Sequence, residues 1–238
     1  MSRRLCALVA VVLLVAGCAP PVGASTAAAP APLVVALGDS VPAGTACDCV
    51  PFPDLYAARL YAGAGAIDLA ADGYTSADVL AQIRSGEAED CLRHATTVLI
   101  MVGANDAADG FPGAGASGYA EISGRTEENV TAAVREIHAV AGAALPVMVL
   151  GYWNVVQDGD AAEFAPGEDV EAAIATDDTN RALAAAAEAG GASFVPTYPL
   201  FKGVDGRSDP TGLLAADGDH PNAAGHAVIA AAIPKAFP

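Results

Sequence analysis

The chain is poor in aromatic residues, with only 5% Phe, Trp and Tyr and a single tryptophan in 238 residues. No stripe of exposed aromatics of the kind a carbohydrate-binding module presents can be drawn from so few. Basic residues are also scarce: 11 Lys and Arg stand against 28 Asp and Glu, a formal net charge of −17. Such a field repels phosphate backbones and anionic head groups, so nucleic acid is excluded as a partner and a neutral or cationic substrate is favoured. No apolar run is long enough to span a bilayer. There is no C-x-x-C pair of the usual structural-metal type and no internal repeat.

What is present begins with a sorting signal. Arg3 and Arg4 give a positive start, Leu5 to Ala16 is a short apolar run, and small residues follow. The run ends in Val15, Ala16, Gly17, Cys18, which resembles the bacterial lipoprotein processing box. The resemblance implies cleavage before Cys18, acylation of that cysteine, and a protein anchored by lipid at the outer face of a membrane. A plain secretory signal is the alternative, and either places the protein outside the cytoplasm. Without Arg3 and Arg4 the balance becomes 9 basic against 28 acidic, a net of −19.

We expect three segments: a signal peptide over 1–17, a flexible Pro, Ala, Gly, Ser and Thr tether over 18–32, and one folded domain over 33–238. In an oxidising compartment Cys47, Cys49 and Cys91 are candidates for a disulfide. Cys91 paired with Cys47 or Cys49 is the preferred expectation, because residues two apart are awkward to bridge. A metal site made of the three lacks the usual spacing, so none is expected.

Within the domain, short apolar runs at Leu33 to Leu37, Ala66 to Ala70, Val98 to Val102, Val147 to Gly151 and Ser193 to Val195 read as buried strands. Helical spacing covers Pro53 to Tyr61, Ser76 to Ser85, Glu127 to Ala141, Val170 to Ala189 and Ala223 to Ala232. Strand and helix alternate, which predicts an α/β fold with a central parallel sheet of about five strands and helices on both faces. Residues 104–125 and 154–169 read as long connections at strand ends, where a binding rim is built.

Ser40 follows the first strand in Gly38-Asp39-Ser40, so its hydroxyl belongs at the carboxyl end of the sheet. A hydroxyl at its free pKa is a poor nucleophile and needs a base, and the base needs a group to hold its tautomer. His220 supplies the first and Asp217, three residues earlier, the second. Asp219 competes for that role, but adjacent side chains diverge. Acyl transfer also needs donors aimed at the developing oxyanion. The Ser40 N–H, the Gly73 N–H and the Asn105 side-chain amide are the candidates, each following a predicted strand.

Taken singly these pieces are weak, since a serine after a strand is commonly a turn or a cap. Their order is specific. The Gly38-Asp39-Ser40 start, Gly73, the Gly103-Ala104-Asn105-Asp106 segment and the Asp217 to His220 segment resemble the four sequence blocks of the SGNH (GDSL-type) hydrolase family, over Leu37 to His226. The resemblance implies a flavodoxin-like three-layer sandwich with Ser40 as nucleophile, Gly73 and Asn105 as oxyanion donors, His220 as base and Asp217 as the orienting acid. Val41 stands where the family's name has leucine, and Asp72 precedes the glycine block; neither touches a reacting group. No serine sits in G-x-S-x-G, which argues against the ordinary α/β-hydrolase elbow.

Other residues read as structural. His226 is expected to cap or pack on the closing helix, His94 and His138 to lie at the surface or in the scaffold, and Asn180 to serve a helix. Asp158-Gly159-Asp160 opens like a calcium loop but lacks the later ligands. Tyr152, Trp153 and Asn154 either line the cleft or pack. The function expected is hydrolysis of a carboxylic ester, from a lipid, an acetylated glycan or a small acyl ester, through an acyl-enzyme. It needs no cofactor and no oligomer, so a monomer is expected. Acyl transfer to a sugar or lipid alcohol, and a non-catalytic surface lipoprotein, are the competing readings.

Overall fold

A computed structural model describes residues 32–235. The signal, Cys18 and nearly all of the 18–32 tether lie outside the described residues. Five strands form one parallel sheet: β1 (Val34–Gly38), β2 (Ala66–Asp68), β3 (Thr97–Met101), β4 (Val147–Leu150) and β5 (Ser193–Val195), in the order β2-β1-β3-β4-β5. In the central pair, Val34 lies opposite Thr97 and Gly38 opposite Met101. Every residue of β1, β3 and β4 is buried. That explains why these strands read as unbroken apolar runs, since helices cover both faces and no side may turn polar. Each fully buried Val, Leu or Ile contributes about 1.5–3 kcal/mol by leaving water.

The helices, in chain order, are α1 (Ser40–Ala43), α2 (Phe52–Leu60), α3 (Ser76–Arg84), α4 (Glu89–His94), α5 (Ala104–Ala108), α6 (Gly115–Ala141), α7 (Glu168–Gly190), α8 (Tyr198–Lys202) and α9 (Ala223–Ala232). α6 packs along α7 and against α3, while α2 packs against α9. No helix among the described residues is long and apolar enough to cross a membrane.

The structure corrects the reading of 104–125 as a long connection. Most of that stretch is helical, because α5 starts at Ala104 and α6 at Gly115, twelve residues before the expected Glu127. Gly115, Gly118, Ser117 and Gly124 are weak helix formers. Burial outweighs propensity here: Tyr119, Ser123 and Thr126, at helical spacing, pack inward, and Glu171 of α7 accepts from the Gly113 and Gly115 amides at the start of the helix. The 154–169 stretch is a connection as expected, with one short 3-10 turn at Gly159–Ala161.

The disulfide expectation is also corrected. Cys47 is bonded to Cys49, with their Cα atoms 5.0 Å apart, and Cys91 is a free thiol. Ala46 and Asp48, on either side of Cys47, take left-handed backbone angles of 55° and 45° in φ. This local turn brings together two side chains that an ordinary extended or helical segment would keep apart.

Candidate active site

β1 delivers Ser40. Gly38 has φ 147°, and a Cβ there would lie 2.0 Å from the Met101 carbonyl oxygen, so no other residue fits. That close approach lets the Asp39 N–H donate to the Met101 carbonyl at 3.1 Å and turns the chain at the sheet edge. Asp39 then caps α1, its Oδ1 accepting from the Val41 N–H at 3.1 Å, which leaves Ser40 as the first helical residue.

Ser40, Asn105 and His220 line one cavity of about 230 Å³ at the carboxyl end of the sheet, together with Asp39, Tyr152 and Asp219. The His220 ring is held from behind by Asp217, whose Oδ2 accepts from Nδ1 at 2.8 Å. The other oxygen of Asp217 accepts from the Asp219 and His220 backbone N–H groups at 3.0 and 3.1 Å. Burial would raise the Asp217 carboxyl, but the hydrogen bonds from His220 and the two amides outweigh it and hold it below the usual carboxylate range. Asp219 behaves in the opposite way: burial raises it, despite the nearby His220. With Nδ1 engaged by a carboxylate, the neutral imidazole presents the Nε2 lone pair.

Asn105 is the second residue of α5. Its Nδ2 donates to the Tyr74 carbonyl at 2.9 Å, which ties the α5 start to the turn that carries Gly73. One of the two amide hydrogens remains for another acceptor. Gly73 has φ 76° with open space where a Cβ would be, so it is required for its backbone angle and not for close packing. It is not among the residues lining the cavity. It stands in the adjoining turn, between Asp72, which accepts from the Thr45 hydroxyl, and the Thr75 cap of α3.

Asp106 and Asp39 are two supporting residues that sequence reasoning left unassigned. Asp106 accepts from the Ser76 N–H at 2.8 Å and the Ser76 hydroxyl at 2.6 Å, fixing α3 against α5 so that the Gly73 turn and Asn105 stay in register. Asp39 is 1% exposed and accepts from the Tyr152 hydroxyl. Burial pushes its carboxyl up to about 7, opposed by the hydrogen bonds from Tyr152 and Val41. Residues 152–154 beyond β4 thus divide: Tyr152 and Trp153 are buried, Trp153 stacking on Phe201 with centroids 4.1 Å apart, and Asn154 is half-buried, yet all three border the cavity. Asn180 clamps the Tyr152 backbone, accepting from its N–H at 2.8 Å and donating to its carbonyl at 2.9 Å.

His226 is fully buried in α9, where Nδ1 accepts from the Phe52 N–H at 3.1 Å. Burial lowers its pKa to about 4, so it is neutral. Its ring and the sulfurs of Cys47 and Cys49 bring possible metal-binding atoms within 4.8 Å of one another. The two sulfurs are bonded to each other and Nδ1 is occupied by Phe52, so as it stands this group offers no thiolate and no second free nitrogen lone pair to a metal. Asp158, the first residue of the calcium-like triplet, instead pairs with Lys202 at 2.7 Å.

A five-stranded parallel sheet with Ser40, Asn105 and His220, in that chain order, lining one cavity at its carboxyl end fits a hydrolase of the SGNH type. The chain belongs to the GDSL-like lipase/acylhydrolase family, whose sequence model matches residues 36–228. Its fold is similar to that of a lipase from a goat rumen metagenome, with TM-score 0.66 and 19% identity over 84% of this chain and 94% of the other. It is also similar to an acetylxylan esterase from Geobacillus stearothermophilus (TM-score 0.59, 19% identity, 84% and 91% covered). A phospholipase A1 from Streptomyces albidoflavus gives TM-score 0.58 and 19% identity, with 85% and 100% covered. Among proteins of curated function, no sequence match is found.

Proposed function

We propose that this hydrolase is an exported serine esterase that cleaves short-chain carboxylic esters through an acyl-enzyme, with Ser40 as nucleophile, His220 as base and Asp217 as its orienting acid. The observation that carries the reading is the Asp217 to His220 contact behind a cavity that also contains Ser40 and Asn105. His220 takes the Ser40 proton as Oγ attacks the ester carbonyl. The oxyanion is met by the Ser40 and Gly73 N–H groups and the Asn105 amide. His220 then gives its proton to the leaving alcohol, and water, activated by the same base, releases the acid. Short acyl groups are favoured because the cavity of about 230 Å³ is walled in part by Val41, Ala104 and Ala108 and falls below the range of ~300–1,000 Å³ typical of sites for larger ligands. Export through the N-terminal signal and anchoring at Cys18 complete the proposal, supported by the processing-box sequence.

Release of p-nitrophenol from acetate, butyrate, octanoate and palmitate esters tests it, with Ser40→Ala and Asp217→Asn run beside the parent. Acetate or butyrate should be best. Ser40→Ala should be inactive, and Asp217→Asn should lose about 10³- to 10⁴-fold in kcat by losing the tautomer. Equal rates in parent and Ser40→Ala would contradict the mechanism.

A further inference from the structure

Trp153 and Asn154 form a wall with hollows on both sides. One hollow is the catalytic cavity; the other, about 600 Å³, runs past Asp158 to the start of α7 and to Tyr198 and Lys202 of α8. The catalytic steps use nothing in the larger one. Its position relative to the chemistry is fixed by two hydrogen bonds. Gln157 Nε2 donates to the Asp217 carbonyl at 3.0 Å, and the Asp158 N–H donates to the Gly218 carbonyl at 2.8 Å. The segment leading from one hollow to the other is therefore tied to the turn that carries His220. A base that protonates the leaving group must have the alcohol oxygen on its own side, and the larger hollow borders the segment bonded to that base's turn, which favours the alcohol side of the ester.

The lining states what kind of alcohol fits. Asp158, Asp169 and Asp177 face it against one ammonium, Lys202, for a lining charge of 1 − 3 = −2. Lys202 is already taken: its Nζ lies 2.9 and 2.7 Å from the two Asp158 oxygens, with both side chains largely buried. No cation lining the hollow is therefore left to receive a phosphate or carboxylate; Asp177 faces Arg181 Nε at 3.7 Å, so Asp169 is the carboxylate that repels an anion. Carboxylates and the Asn154 amide accept and donate hydrogen bonds to hydroxyl groups, and Tyr198, 37% exposed at the rim, offers a ring face and a hydroxyl.

We infer that this hollow is the leaving-alcohol subsite and that it takes an uncharged, hydroxyl-rich alcohol, a sugar or polyol, and not a phosphorylated one. The inference rests on the esterase reading above. Its test is steady-state kinetics on four acetyl esters, p-nitrophenyl acetate, a mono-O-acetyl methyl xyloside whose other hydroxyls are free, acetylated glycerol 3-phosphate and acetylcholine, with the parent, Tyr198→Ala and Asp169→Asn. In the parent, kcat/KM for the xylose ester should exceed that for the phosphorylated ester at least about tenfold. Tyr198→Ala should raise KM for the xylose ester about five- to tenfold with little change in kcat. Asp169→Asn should narrow the gap between the xylose and phosphorylated esters. Hydrolysis of p-nitrophenyl acetate with an unmoved KM for the xylose ester in both variants, or a parent that prefers the phosphorylated ester or acetylcholine, would overturn the subsite. Absence of any p-nitrophenyl acetate hydrolysis in the parent would instead overturn the esterase reading on which it stands.

Discussion

Asp39 sits beside the nucleophile at 1% exposure, where an ionised carboxylate is costly. Burial raises it to about 7 in the folded protein, against a value near 4 in an unfolded chain. The folded state thus holds this proton more tightly, so the stability that Asp39 contributes is full below about pH 4, declines as pH rises from about 4 to 7, and is gone above that. Asp39→Asn removes the charge while its amide oxygen still accepts from the Val41 N–H and its NH2 group donates to the Tyr152 hydroxyl oxygen. Urea unfolding at pH 5 and pH 8 should show the variant gaining on the parent at the higher pH, by on the order of 2–4 kcal/mol at most. A gain that is the same at both pH values would show that Asp39 stays ionised throughout. The adjacency of Asp39 to Ser40 was legible in the sequence, but its role was not, because Tyr152 comes from 113 residues away. His220 and Asp217 were legible as a pair for the opposite reason: three residues in a turn place the partners side by side.

At the scale of elements, the strands were readable and the helix starts were less so. Burial on both faces makes β1, β3 and β4 conspicuous, whereas α6 begins in a glycine-rich stretch whose helicity depends on packing against α7 and on the Glu171 carboxylate. The Cys47–Cys49 bridge was missed because the left-handed residues around Cys47 are alanine and aspartate, which do not signal that geometry as glycine does. Gly38 is the element-scale joint on which the site turns. Gly38→Ala places a methyl against the Met101 carbonyl and adds a left-handed penalty, together costing roughly 2–4 kcal/mol. The expected outcome is a thermal midpoint lower by about 5–10 °C and hydrolysis reduced even in the folded fraction. A variant with parental midpoint and activity would mean that β1 and β3 separate at no cost.

For the whole molecule, the acidic surface and the fold answer different questions. The family model and the parallel sheet establish a GDSL-like hydrolase, while charge speaks only to which partners approach. The proposed lipid anchor belongs to this scale too. Expressed with its own leader in a bacterial host, the parent should enter the detergent phase on Triton X-114 partition and Cys18→Ser the aqueous phase; equal partition of both would remove the anchor and leave a plain secretory signal.

The central claim is that Ser40 is an activated nucleophile. Its most direct test is mass spectrometry of the purified protein after brief exposure to a fluorophosphonate. One adduct per chain is expected, located on the peptide containing Ser40, with labelling slowed in His220→Ala as hydrolysis is. An adduct on a different serine, or hydrolysis that continues undiminished in fully labelled protein, would contradict it.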